Sequence, residues 1–290
     1  MANPKIVERS TKELREWLAT NDNFLYKTPR RELEVLLQKD RLDDKELVAA
    51  SIMLGSISGW VIGKGGLAIL DRRPGGWEEL HLGMDLLSLE LRWNYFDTMR
   101  RPKDNRLSWI AADSALALTH AIAVGDKENA NELADVMTQA VSHGVYGSYT
   151  QCGFEPFVIN LFQLARGDAR RNIGFKPAEF GDRYQRVWTH WDSVDELSKE
   201  CAKLCDTHVT IASVDDEAWY GQFGIMPFEI YPVEVLAIQR VRKKLGHDVP
   251  TCEHDLFKSP LAEAPTEPPR LSDDLSVRVR QRLRKEYEGF

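Results

Sequence analysis

Apolar positions recur at helical spacing along most of the chain. In the stretch 72–100, Leu80, Met84, Leu87, Leu91 and Tyr95 follow one another at three or four residues, the period of a single helix face. The same period marks the end of the chain, where Leu275, Val279, Leu283 and Tyr287 form one stripe. Ser272 stands where it would cap that last helix, and Ser10 with Glu13 has the spacing of a capping box for the first. Gly125-Asp126, Gly167-Asp168 and Gly246 each follow an apolar helical run. A glycine in the left-handed conformation ends a helix, and an aspartate after it caps the next, so these positions predict helical hairpins. No fixed-period repeat is present that would make them a solenoid. Strand signals are confined to "THVTIASV" at 207–214, readable as a short strand or a loop.

The expected fold class is therefore all-α, a compact bundle of helical hairpins with at most one minor strand. A single helical domain is expected over 1–257, with a subdivision, if there is one, near 150–180. "KSPLAEAPTEPPR" reads as a proline-rich linker over 258–271, leading to the basic amphipathic helix 272–290. Arg278, Arg280, Arg282, Arg284 and Lys285 surround its apolar stripe, so it should dock on the body or on a second copy.

The stretch "GSISGWVIGKGG" at 55–66 raises the alternative of a phosphate-binding loop. Gly63-Lys64 is followed by Gly65 rather than Ser or Thr, and five residues before Gly63 stands Ser58 rather than Gly. The phosphate-loop motif thus fails at both ends, and the glycine spacing does not fit a dinucleotide fingerprint. Ser51, Gly55, Gly59 and Gly63 recur every fourth residue, which lines small side chains along one helix face and predicts close helix packing. The surrounding run is shorter than the roughly 20 apolar residues of a membrane span, so a buried core helix is expected and no membrane partner.

The 290 residues carry a formal net charge of −7, and four cysteines are too few for a disulfide scaffold. The N-terminal residues contain no apolar signal region, so a cytoplasmic location is expected. Between 182 and 234 lie eleven acids and four bases, an imbalance as large as that of the whole chain. This disfavours nucleic acid as a partner and suits a basic protein surface, or else the chain's own basic terminal helix.

Catalytic and metal signatures are thin. Cys201 and Cys205 share a helix face with His208 just beyond, and Cys252 with His254 would complete a tetrahedral zinc set. The second pair, however, is a bare C-x-H, and buried free cysteines are ordinary small hydrophobes; no cofactor or metal is expected. The seven histidines are scattered singly, and neither a nucleophile elbow nor an H-E-x-x-H helix occurs. His120 reads as a core histidine. His190, between Trp188 and Trp191 and near Asp192 and Asp195, is the best acid–base candidate if the chain is an enzyme.

The other unusual segment is "SVDDEAWYGQFGIMPFEIYP". Asp215, Asp216 and Glu217 precede Trp219, Tyr220 and Phe223 in a stretch broken by Gly and Pro. Acids beside aromatics on a loop have the composition of a protein-binding hot spot, and these six residues are the candidate partner-binding site. The competing reading is that the aromatics of this stretch, with Met226, Phe228 and Tyr231, close the core between helical layers.

Over 154–261, "SKECAKLCDTHV" followed by "PVEVLAIQRVRKKLGHDVPTCEHDLFKSPL" resembles the helical immunity proteins encoded beside bacterial polymorphic toxins and type VI secretion effectors. The resemblance is one of texture and carries over no functional residues. It implies a non-enzymatic protein that binds a cognate toxin and blocks its active site, a cytosol-acting nuclease with a basic cleft being the natural match for an acidic inhibitor. The alternatives are a self-associating scaffold, a homodimer through a swapped terminal helix, and a zinc- or histidine-based enzyme using Cys201, Cys205 and His208, or His190.

Overall fold

The computed structural model describes residues 5–103, 111–145, 153–168, 182–212, 226–271 and 273–290. Among these residues the chain is all-α, with no strand. The α-helices are α1 (Lys5–Asn21), α2 (Thr28–Leu37), α3 (Asp44–Leu70), α4 (Gly76–Arg100), α5 (Ala111–Val124) and α6 (Lys127–Ser142). They continue with α7 (Phe154–Ala165), α8 (Asp182–Thr189), α9 (Val194–Ala212), α10 (Val233–Lys244) and α11 (Leu275–Glu286). A π-helical turn, Asp22–Lys27, joins α1 to α2.

The chain divides into two compact units: Met1–Ser10 with Ser108–Pro268, and Thr11–Leu107 with Pro269–Phe290. The division passes near 10, 107 and 268. The reason is that the C-terminal segment packs with the helices of the N-terminal third.

In the unit holding α2, α3, α4 and α11, Asp43 starts α3 with a full capping box. Its carboxylate accepts from the Lys45 and Glu46 amides at 2.9 Å, and Glu46 accepts from the Asp43 amide at 3.1 Å. α3 and α4 form an antiparallel hairpin whose backbones touch. A Cβ added at Gly65 would lie 2.2 Å from the Leu80 nitrogen, and one at Gly83 would lie 2.6 Å from that of Ile62. The fourfold stripe of the sequence is not this contact. Nothing lies within 4 Å of a Cβ at Gly59, Gly55 meets only the Glu90 side chain at 3.6 Å, and Gly63 faces the side chains of Trp17 and Leu14. Gly65 is two residues on from Gly63, on the opposite side of the helix, and that side faces α4. Among the described helices, α3 alone is long and apolar enough to cross a membrane by length and composition, and half of that apolar window is buried within the chain.

α11 docks on α4 and α2. Its stripe of Leu275, Val279, Leu283 and Tyr287 is buried throughout, as the period predicts. Among the described residues its arginines meet Asp85, 3.1 Å from Arg280, and Glu34 and Asp274, 3.4 and 3.2 Å from Arg278. Arg282 is buried and donates to the carbonyls of Leu37 and Lys39 and to Glu286. Just before α11, Asp273 takes a bidentate grip from Arg30 at 2.8 and 3.1 Å. The expected cap Ser272 lies outside the described residues. Ser10 is not a cap: α1 begins five residues earlier and buries it.

In the other unit, α5 packs against α6, α7 and α10, and α9 packs against α8 and α10. Gly125 (φ +79°) ends α5, and Asp126 caps α6 by accepting from the Asn129 amide at 3.1 Å. Gly167 and Gly246 likewise adopt positive φ just after α7 and α10. The stretch 207–214, readable as a short strand or a loop, is helical as far as Ala212. Leu204, Cys205 and His208 continue the buried face of α9 and override the β-branched composition. The beginning of the proline-rich segment is folded too, as two short 3₁₀ turns that bury Leu256 and Leu261.

Candidate functional site

The six candidate partner-binding residues, Asp215, Asp216, Glu217, Trp219, Tyr220 and Phe223, lie outside the described residues. What is described is the base from which their segment departs and to which it returns. α9 delivers the chain as far as Ala212, and the chain resumes at Met226-Pro227, a cis peptide, before entering α10.

One histidine ties the two sides together. His208, four residues before the end of α9, places Nε2 against the Phe228 carbonyl at 2.5 Å and Nδ1 against the Glu234 carboxylate at 2.9 Å. The second oxygen of Glu234 accepts from the Tyr184 hydroxyl of α8. All three side chains are buried, with exposures of 1–3%. A carbonyl oxygen only accepts, so Nε2 must donate; Nδ1 and the carboxylate then hold one proton between them. Buried polar groups that satisfy one another in this way fix a local geometry, because any rearrangement strands one of them away from water. His208 near the end of α9 and Phe228 and Glu234 around the start of α10, the described residues on either side of 213–225, thus share one internal knot.

Aromatic packing completes the base. Phe228 and Tyr231 are fully buried, with ring centroids 5.3 Å apart, and the Tyr231 hydroxyl sits 3.3 Å from Nδ1 of His120. For these two aromatics the core-closing reading is the correct one, and His120 is a core histidine with a polar partner. Burial pushes the Tyr231 phenol well above its ordinary range.

The metal-like patch resolves differently from a zinc site. Both ring nitrogens of His208 are engaged, and the Cys205 sulfur meets that of Cys252 at 3.7 Å. Cys201 and Cys205 are buried free thiols. Burial drives the Cys201 thiol up, and the contact with Cys252, together with burial, does the same for Cys205. Thiols held up in this way are poor nucleophiles. His254 accepts from the Leu256 amide at Nδ1 and faces Asp206 at 3.5 Å, while burial lowers its pKa. Among the described residues, no three His, Cys, Asp or Glu side chains come together as a metal site. His190 lies half-exposed just past the end of α8, beside the Trp188–Trp191 pair.

The acids of 182–234 sort into two kinds. Glu234 and Glu200 are internal; Glu200 accepts from Arg186 at 3.0 Å and Lys203 at 2.6 Å and so ties α8 to α9. Asp192, Asp195, Glu196 and Asp206 stand at the surface, around and along α9.

Sequence reasoning passed over Glu234, Tyr184 and Glu155. Glu155, in the first turn of α7, is fully buried, and neither carboxylate oxygen has a hydrogen-bond partner among the described residues. Burial lifts its pKa to about 7. The available signal was an acid set inside an apolar run, as in "YPVEVLAI" and "GFEPFVINLF". No protein family model, curated protein or solved structure matches the chain, so its function rests on its own residues.

Proposed function

We propose that this chain is a cytoplasmic immunity protein that neutralises a cognate toxin with a basic active-site cleft, most simply a nuclease, by occluding that cleft. The observation that supports the reading is the acidic and aromatic composition of 215–223, in a stretch whose described neighbours on both sides, His208 and Phe228, meet in one buried hydrogen bond. His208 and Phe228 belong to the His208–Glu234–Tyr184 knot, and between them in sequence stand Asp215, Asp216 and Glu217 followed by Trp219, Tyr220 and Phe223. A segment anchored at both ends loses less conformational freedom on binding than a free tail, which leaves more of its contact energy as affinity.

In this reading the three acids meet toxin lysines and arginines, and the three aromatics supply the apolar anchor at the centre of the interface. Exposed Asp206 lies six residues before the end of α9, about 9 Å along the helix. With Asp192, Asp195 and Glu196 it extends the negative field beyond the segment. Such a field raises the association rate and the specificity more than it raises affinity. No catalytic group is required, and occlusion is steric and electrostatic.

The test is capture with the tagged chain as bait and the product of the adjacent gene as prey. The expected result is a stable complex that loses the prey when Asp215, Asp216 and Glu217 are all changed to Lys. Undiminished capture by that triple variant overturns the mechanism, and failure to bind any neighbour-encoded toxin overturns the function.

A further inference from the structure

A cavity of about 780 Å³ opens among α5, α6, α7 and α10, at the Gly125 turn. Its floor is apolar, made by Ile122, Ala130, Phe162 and Val241, all buried. Its rim is cationic: Lys127, Arg166, Arg240, Lys243 and Lys244 line it. Two carboxylates face these five bases, and one of them is already engaged, since Asp126 accepts from the Asn129 amide and side chain at 3.1 and 2.7 Å. The other, Glu267, is exposed. Arg166 pairs with Asp168 at 3.6 Å, both about half exposed, a contact of the kind that contributes little.

Arg240 is the oriented member of this set. Its Nη2 donates to the Val124 carbonyl at 2.8 Å and to the Thr266 carbonyl. Gly125 makes room for it, because a Cβ at that position would lie 2.4 Å from Nη2. The guanidinium is therefore fixed by two carbonyls through one nitrogen, while Nε and Nη1 have no hydrogen-bond partner among the described residues. Lys127, Lys243 and Lys244 are exposed and make no ion pair among the described residues. Five bases clustered on a chain whose net charge is −7 form a local field opposite to that of the molecule. Bases so placed repel one another unless an anion sits between them.

A concave apolar floor with a few convergent polar groups is the ordinary composition of a small-molecule site. We propose that this cavity binds a small anionic ligand with an apolar body. The head group, a phosphate or carboxylate, is held by Arg240 with Lys127, Lys243 and Lys244, and the body lies on Ile122, Phe162 and Val241. The arrangement suits an aryl or alkyl phosphate better than a free inorganic anion, which would leave the apolar floor wet. It suits such a ligand better than a neutral hydrophobe, which would leave the bases without a counter-charge.

The test is titration calorimetry on the full chain with 1-naphthyl phosphate, 1-naphthoate, 1-naphthol and inorganic phosphate as separate probes at physiological salt. The expected result is saturable one-to-one binding of naphthyl phosphate, or of naphthoate if the head group is a carboxylate. Naphthol and inorganic phosphate should each bind at least about tenfold more weakly. The double variant Lys243→Glu/Lys244→Glu should weaken the favoured probe by about tenfold or more while leaving the melting temperature unchanged. Asn131→Trp, an exposed position on the lining, should block the same probe sterically. No binding of either naphthyl anion, equal binding of naphthol, or equal binding by the charge-reversed variant would each overturn the proposal. None of these outcomes bears on toxin capture, which depends on a different segment.

Discussion

Replacing Gly65 by Ala and, separately, Gly59 by Ala should move stability in opposite directions, although both are small residues of the same helix. A methyl at Gly65 would stand 2.2 Å from the Leu80 nitrogen, 2.6 Å from its Cα and 2.8 Å from the Glu79 carbonyl carbon. Ordinary contact begins at 3.4 Å, so α4 must retreat by more than 1 Å along its closest approach to α3. The obstructing atoms are backbone and cannot rotate away. Overpacking of a core costs about 1–3 kcal/mol, and a backbone obstruction belongs at the upper end, about 3 kcal/mol. Alanine returns about 1 kcal/mol through helix propensity, leaving a net loss of about 2 kcal/mol. At Gly59 nothing lies within 4 Å of the added Cβ, so only the propensity gain of up to about 1 kcal/mol applies. Urea denaturation of the two variants and the parent reads the difference, expressed as a shift in midpoint at constant slope. A neutral or stabilising Gly65→Ala would refute the close approach of α3 and α4. A Gly59→Ala loss as large as that of Gly65→Ala would restore the fourfold stripe as the packing surface.

Other consequences concern the buried polar groups. Burial lifts the Glu155 carboxyl from 4.5 to about 7, so the folded chain retains a proton that the unfolded chain releases. Stability should therefore fall as pH rises from about 4.5 to 7, by about 3 kcal/mol from this group, and remain at the lower level above that. Denaturation of Glu155→Gln across the same range should show a flatter slope, and an unchanged slope would exclude Glu155 as its source. Glu234→Gln should cost about 2–3 kcal/mol by breaking the shared-proton pair with His208, and Tyr184→Phe about 1 kcal/mol, both read from urea midpoints. Losses within about 0.5 kcal/mol of zero would mean the knot does not fix the base of the segment. In the native state iodoacetamide should label half-buried Cys252 before Cys201 and Cys205, as followed by peptide mass spectrometry, and elemental analysis should find less than stoichiometric zinc. Rapid labelling of Cys201, or one zinc per chain, would reopen the metal reading.

Much of the fold was legible because helix periodicity reports which face of a segment is buried. The two apolar stripes of α4 and α11 are both buried, and the Gly125-Asp126 turn does what glycine followed by aspartate does. Periodicity does not say which partner a face meets. Small residues every fourth position looked like the contact of α3, yet the tight approach is at Gly65, set by where α4 lies. The arginines of α11 find Asp85, 195 residues away, and Glu34, 244 residues away, and no local pattern encodes pairs of that separation. The same limit applies at the candidate site. The acidic and aromatic content of 215–223 is visible in the sequence, whereas the knot of residues flanking that stretch joins positions 26 and 50 apart. The stretch 207–214, readable as a short strand or a loop, is helical as far as Ala212 for a related reason. β-branched composition is a weak preference, and the buried face of α9 overrides it.

The most direct test of the central claim is the association rate of the neighbour-encoded toxin with the parent chain and with the Asp215→Lys/Asp216→Lys/Glu217→Lys variant across a salt series. The account predicts fast binding to the parent that slows steeply as salt rises, with the variant slower by about tenfold or more and nearly insensitive to salt. Equal rates and equal salt slopes for the two proteins would contradict it.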